Sequence, residues 1–405
     1  MVKENLIQIF EYQKLRVGDY GFKKKHFEAM VKFNELHGNK FFKPIYNGVQ
    51  FGSYVGVIQI SGLTIEILPK ADNSNNKELW QGVLLHMLKV CRSIQVKNVS
   101  EAQLKRRYNS ILEAYFELYL NEVEQLISRG LIKKYKRFQS NQLALKGKLK
   151  IAQNIQKNMV HKERFYCEHQ VYDKNHLLHQ TLKQGLLVLD GLGIHNLGDK
   201  IKRLQFYFEG IEQTKITEKQ LQAIQVNRKS QPYQKALNIA KMLILNYSPN
   251  INSGNDNMLT LLFDMNKLWE EYIFRVLYKH QHLGYEISYQ NSDTFWEHKR
   301  IKPDIVITMN NKNHVIDTKW KVVDSNNPSD ADLKQLFVYN LHWNSSKSML
   351  LYPQVDQIDS KFGNYKYFGE ENSPNQCKLG FVSVLDNGKI KASEKLSVEI
   401  LQKLM

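Results

Sequence analysis

Residues 300–320, RIKPDIVITMNNKNHVIDTKW, read as two strands joined by a polar turn. Ile305, Val306 and Ile307 on one side and Val315 and Ile316 on the other are β-branched. Asn310-Asn311-Lys312-Asn313 between them has turn chemistry and no strand propensity. A turn of those four residues pairs Met309 with His314, which sets Asp304 opposite Lys319 and Val306 opposite Asp317. Strand side chains alternate with period two, so all four share one face. Asp317 becomes the diagonal neighbour of Asp304, within about 7–8 Å at the backbone. Two carboxylates this close at the rim of an apolar hairpin repel each other unless a cation joins them. With a lysine beside them, they read as a divalent-metal site.

Hard oxygen ligands suit Mg2+, with Mn2+ as a substitute, and Mg2+ is commonly held by only one or two carboxylates. Such an ion polarises a scissile phosphate and lowers the pKa of water, chemistry that fits phosphodiester hydrolysis. Lys319 would orient that water or neutralise charge building on the phosphorane. A lone Asp-x-Lys in a strand is more often a pair of solvated charges. Here Pro303-Asp304, a hairpin and Asp317-Thr318-Lys319 follow one another, which is far more specific.

Upstream, the spacing of Met265, Leu268, Trp269, Tyr272, Ile273, Val276 and Leu277 predicts a helix over about 261–280. Glu270 falls on the flank of that stripe, one turn from Asn266, whereas Glu271 points further away. Downstream, Ala331–His342 reads as a helix capped by Ser329 or Asp330, with Gln335 and Tyr339 on one face.

Pro303-Asp304 followed by Asp317-Thr318-Lys319 resembles the signature of the PD-(D/E)XK nuclease superfamily. Residues 263–273, FDMNKLWEEYI, resemble the helix that opens the nuclease domain of the McrC subunits of modification-dependent restriction systems. Asp317–Lys321, followed by Gln335 and Tyr339, resembles the remainder of that signature, and the similarity is strongest over 255–355. The resemblance implies a Mg2+-dependent endodeoxyribonuclease acting on modified double-stranded DNA. It implies Asp304, Asp317 and Glu270 as the metal-binding acids, Lys319 as the lysine that acts on the water or the transition state, and Gln335 as the group that positions a water or phosphate. It further implies an AAA+ GTPase ring, McrB-like, as partner, with the N-terminal part of the chain docked in the ring. No Gly-x-x-x-x-Gly-Lys-[Ser/Thr] is present, so nucleotide would belong to that partner. Trp269 stands where the family usually has Phe.

The composition agrees with a nucleic-acid partner. In 405 residues there are 57 Lys and Arg against 40 Asp and Glu, a formal net charge of +17. Three cysteines, none in a CxxC pair, argue against a disulfide framework or a structural zinc site. His169, His176 and His179 match no zinc spacing. No apolar run approaches the ~18 residues of a membrane span and the N-terminus is no signal peptide, so a cytoplasmic location with no membrane partner is expected.

The expected fold class is α/β. A strand-rich N-terminal module carries a hairpin of Tyr54–Ile60 and Leu63–Leu68 across Ser61-Gly62, then helices over 78–91 and 111–128. We assign 1–155 to a partner-contact module and 156–405 to a helical lead-in and endonuclease domain, with its core over about 255–405 and a hinge loop over 248–256. The basic runs Lys133–Arg137 and Lys146–Lys150, interleaved with Tyr135 and Phe138, read equally as a phosphate-tracking surface or a solvated strand face. Two other function classes fit the residues: a non-catalytic DNA-binding or assembly subunit, and a nuclease of DNA repair or RNA processing.

Overall fold

The computed structural model describes residues 5–60, 62–71, 75–91, 111–192, 197–248, 258–279, 284–323, 327–366 and 375–404. Ser61 of the expected hairpin turn and residues 249–256 of the expected hinge loop lie outside them. The fold is mixed α/β and divides into two compact units. One gathers Met1–Leu112, Ile251–Asp256 and Thr260–Met405; the other holds Glu113–Asn250 and Asn257–Leu259. This grouping cuts across the 1–155 and 156–405 division, because the N-terminal strands share a unit with the C-terminal sheet.

In the first unit, strand Asn5–Phe10 runs parallel to Leu63–Leu68, which pairs antiparallel with Tyr54–Ile60 as expected. Alternation of Ile7, Ile9, Ile65 and Ile67 with polar partners buries one face of this sheet. Helix Lys77–Val90, capped by Asn76, buries Trp80, Leu84, Met87 and Leu88. It meets the helix Met265–Tyr278: His86 lies 5.9 Å from Tyr272 ring to ring, and Cys91 Sγ lies 3.8 Å from the Leu268 carbonyl. The latter helix is capped by Asp264 and starts later than the apolar stripe suggested, since Met258–Asp264 is a strand.

The larger sheet has six strands in the spatial order Glu286–Tyr289, Ile305–Met309, Lys312–Thr318, Ser345–Pro353, Gln376–Val382 and Gly363–Asn364. Lys312–Thr318, Ser345–Pro353 and Gln376–Val382 are mutually parallel, and the strands outside them pair antiparallel. Helix Asp330–His342 makes the crossover between the first two parallel strands and packs on one face through Leu336 and Tyr339. Val306, Val315, Leu350, Tyr352 and Phe381 complete that core. Ser329 caps this helix by accepting from the Asp332 N–H at 3.2 Å.

The hairpin register corrects the expected one. Met309 pairs with Lys312, and Asn310-Asn311 alone make the turn, both left-handed with φ of 50° and 59°. Two left-handed residues give a turn whose twist matches that of the strands, and Asn tolerates the conformation better than most side chains. The shift is two residues, so every side chain keeps its expected face. Its partner does change: continued past Ile305↔Ile316, the register sets Asp304 opposite Asp317 instead of Lys319.

The second unit is mostly helical, with helices Ile111–Ser128, Leu177–Gly191, Gly198–Phe206 and Gln234–Leu245 beside strands Lys134–Gln142 and Phe165–Asp173. Among the described residues no helix is long and apolar enough to cross a membrane.

Candidate active site

Asp304 precedes its strand and Asp317 is the sixth residue of the next one. Because the two strands are antiparallel, both carboxylates sit at the same end of the hairpin, on the face covered by helix Asp330–His342. Thr318 fixes Asp304 twice through one oxygen, donating its N–H to Oδ2 at 2.7 Å and its hydroxyl at 3.0 Å. Lys319 continues past the strand with its N–H on the Leu351 carbonyl at 2.9 Å. Its ammonium turns back to Asp317 Oδ2 at 2.6 Å and lies 3.8 Å from Asp332.

The electrostatics are those of crowded, desolvated acids. Asp317 is 1% exposed. Burial first, and the neighbouring Asp304 charge second, push its carboxyl up to about 7, although Lys319 opposes both. Burial also raises Asp304 above the usual carboxylate range, against the Thr318 hydrogen bonds and the charges of Lys319 and Lys302. Burial would lower the Lys319 ammonium, but the surrounding carboxylates outweigh it and hold the amine above its ordinary value, fully charged.

The remaining predicted residues stand around this pair. Glu270 lies on the helix Met265–Tyr278, where Gln290 Nε2 donates to its Oε1 at 2.5 Å. Burial and the charge of Asp304 raise its pKa, so it senses the site while hydrogen-bonded to Gln290. That helix meets Trp320, whose ring is 5.1 Å from Trp269; Trp320 alternates with Lys319, so helix and carboxylate pair flank different faces of the strand. Gln335 donates to the Tyr339 hydroxyl at 2.7 Å, and that hydroxyl donates to the Lys302 carbonyl at 2.8 Å, one residue from Pro303-Asp304. Tyr339 is close enough to Asp317, Asp304 and Lys319 to feel their charges.

Sequence reading missed Asp332. It sits in the first turn of helix Asp330–His342 and pairs with Lys321 at 2.8 Å as well as approaching Lys319. The Ser329 cap signal marked where the helix begins, but the crossover alone brings that turn to the hairpin's end. Gln290 and Lys302 were likewise unmarked, being ordinary polar residues until folded. The three histidines occupy the second unit. There His179 is fully buried, its Nδ1 2.8 Å from the Lys174 carbonyl, and His176 Nε2 lies 3.1 Å from the Ile132 carbonyl.

The acids fit a hard divalent ion. Asp317 Oδ2 is a buried oxygen with no aligned hydrogen bond, its contact with Lys319 being an ion pair. Among the described residues no three His, Cys, Asp or Glu side chains gather as a ligand set. Asp304 and Asp317 would hold such an ion, and two carboxylates suffice for Mg2+.

A family model described as McrBC 5-methylcytosine restriction system component matches residues 49–353. Among curated proteins none matches the chain. Among solved structures, a chain of the half-complex from the tetradecameric assembly of Thermococcus gammatolerans McrB AAA+ hexamers with bound McrC superposes with a TM-score of 0.73 at 18% identity. The match covers 99% of this chain and 100% of that one. A chain of the Thermococcus gammatolerans McrBC complex matches with a TM-score of 0.53 at 19% identity, over 68% of this chain and 88% of that one.

Proposed function

This chain is a McrC-type member of the McrBC 5-methylcytosine restriction system component family, and from that premise we propose that it is the endonuclease subunit of a modification-dependent restriction complex. The observation that carries the reading is the placement of half-buried Asp304 opposite buried Asp317, beside the Lys319 ammonium. Two adjacent desolvated carboxylates are costly without a ligand, and groups perturbed in this way cluster at functional sites. We take the six-stranded sheet with its crossover helix as a PD-(D/E)XK core.

Asp304 and Asp317 would hold Mg2+, which when bound supplies Lewis-acid polarisation of the scissile phosphate and a more acidic water. Lys319 stays protonated at neutral pH and neutralises charge that develops on the phosphorane. Thr318 orients Asp304, so the carboxylate presents its free oxygen without paying rotamer entropy at the moment of reaction. Asp332, itself paired with Lys321, faces Lys319 from the helix side. Glu270, held by Gln290, would be the further acid, on the metal directly or through water, and Gln335, which donates to Tyr339, would position the water or a phosphate. The Thermococcus neighbour is bound to McrB AAA+ hexamers, and we assign this chain a GTP-driven partner of the same kind, contacted through its N-terminal portion.

The test is cleavage of methylated and unmethylated plasmid with Mg2+, by the chain alone and by the chain with an AAA+ partner and GTP. Cleavage of methylated plasmid that vanishes in Asp317→Ala supports the reading. Cleavage unchanged in Asp317→Ala removes the site, and no cleavage in any mixture favours an assembly subunit.

A further inference from the structure

Strands Asp293–Trp296 and Lys299–Ile301 form a hairpin of their own, outside the six-stranded sheet. An isolated two-stranded ribbon is marginal in water, and apolar side chains on it gain little from folding. This one nevertheless exposes two large aromatics, Phe295 at 51% and Trp296 at 61%. A register shift between Thr294 and Trp296 breaks the alternation there, so neither ring is drawn inward. Lys299, paired with Trp296, and Arg300 next to it are also exposed, as is Lys302.

The ribbon runs straight into the candidate active site. Ile301 ends it, Lys302 follows with its carbonyl held by the Tyr339 hydroxyl at 2.8 Å, and Asp304 is two residues on. Its outer strand is tied to the end of helix Asp330–His342, where Asp293 lies 3.8 Å and the Phe295 ring 5.8 Å from His342. Strand residues advance about 3.3 Å each, so the aromatic pair stands no more than about 30 Å along the chain from Asp304. A duplex whose phosphate reaches Asp304 and Asp317 must lie over the surface around them, and this ribbon belongs to that surface. Exposed cations suit its backbone, and exposed rings suit its bases or groove walls.

We infer that the hairpin 293–301 is a substrate-contacting ribbon that grips duplex DNA beside the cut site, with Trp296 and Phe295 against the bases or groove and Lys299, Arg300 and Lys302 on phosphates. The inference rests on the nuclease reading and names the surface by which that site takes its substrate. Of the five tryptophans Trp80, Trp269 and Trp320 are buried and Trp343 is half-buried, so the difference in iodide quenching between the full-length chain and its Trp296→Phe variant isolates the accessibility of Trp296. The experiment titrates a short methylated duplex into the full-length Asp317→Asn chain, which cannot cut it, and repeats the titration with Phe295→Ala and Trp296→Ala combined. Duplex should shield Trp296 from iodide, and the double substitution should weaken binding about tenfold or more. Duplex that binds equally well with Trp296 still open overturns the ribbon and leaves the nuclease reading standing. Shielding that appears with protein concentration alone assigns the rings to a second copy and also overturns it. Failure of every form to bind duplex, alone and with the AAA+ partner and GTP, removes the ribbon and the nuclease reading together.

Discussion

Trp320 donates its indole N–H to Glu11 Oε1 at 2.7 Å, a buried hydrogen bond between residues 309 positions apart. Glu11 follows the first strand of the chain, and the same oxygen accepts the Lys70 N–H at 3.0 Å. Lys319 immediately precedes Trp320, so the N-terminal sheet and the candidate catalytic lysine are joined through two adjacent residues.

Burial raises the Glu11 carboxyl to about 7, against the hydrogen bonds from Trp320 and Lys70. The folded chain therefore holds a proton that the unfolded chain releases near the ordinary value of 4.5. Stability from this group is present below that value and is lost as pH rises towards 7. Glu11→Gln keeps the acceptor and removes the charge, so it should stabilise the protein at pH 8 by on the order of 2–3 kcal/mol and leave pH 4.5 nearly unchanged. Urea unfolding at both values checks this; equal stability of the two chains at pH 8 would count against a buried, charged Glu11.

Asp317 titrates in the same direction, so below pH 7 it holds a proton that competes with a divalent ion. Mg2+ should raise the melting temperature of the wild type at pH 8, less at pH 6, and not at all in Asp317→Asn. Without metal, Asp317→Asn should melt higher than the wild type at pH 8, because a buried charge facing Asp304 is gone. A Mg2+ shift that survives the substitution would move the ion elsewhere.

Lys319→Ala should lower cleavage by about 10²–10⁴-fold, the usual range for one charge-stabilising donor or proton-transfer group. The Mg2+ shift in melting temperature should persist, since both carboxylates remain. Loss of metal binding together with activity would make Lys319 a structural counter-ion only.

Tyr339→Phe removes the hydroxyl that donates to the Lys302 carbonyl and accepts from Gln335. It should cost about 1–2 kcal/mol of stability. The loop before Asp304 loses its anchor, so cleavage should fall while Mg2+ affinity stays. Denaturant unfolding and a Mg2+ titration separate the two effects.

The two-residue turn is testable by stability alone. Asn311→Gly should be neutral or stabilising, whereas replacing both Asn310 and Asn311 by Ala should cost about 1–2 kcal/mol per residue in the left-handed region. A four-residue turn would tolerate both changes.

Local pattern alone determined a good deal here. β-branched runs around an Asn-rich turn specify the hairpin, its alternation places Asp304, Asp317 and Lys319 on one face, and the apolar stripe and Ser329 cap locate the flanking helices. These signals depend on neighbours a few residues away, so they are written in the chain itself. Whether Asn310-Asn311 or four residues made the turn was not, because Asn and Lys suit both and only strand twist selects between them. Tertiary packing alone decided that Asp304 faces Asp317, that Asp332 arrives by a crossover helix, and that Glu270 is tied to Gln290 beside the pair. It also placed Glu11 on Trp320, since burial and long-range hydrogen bonding arise only when distant segments share a core.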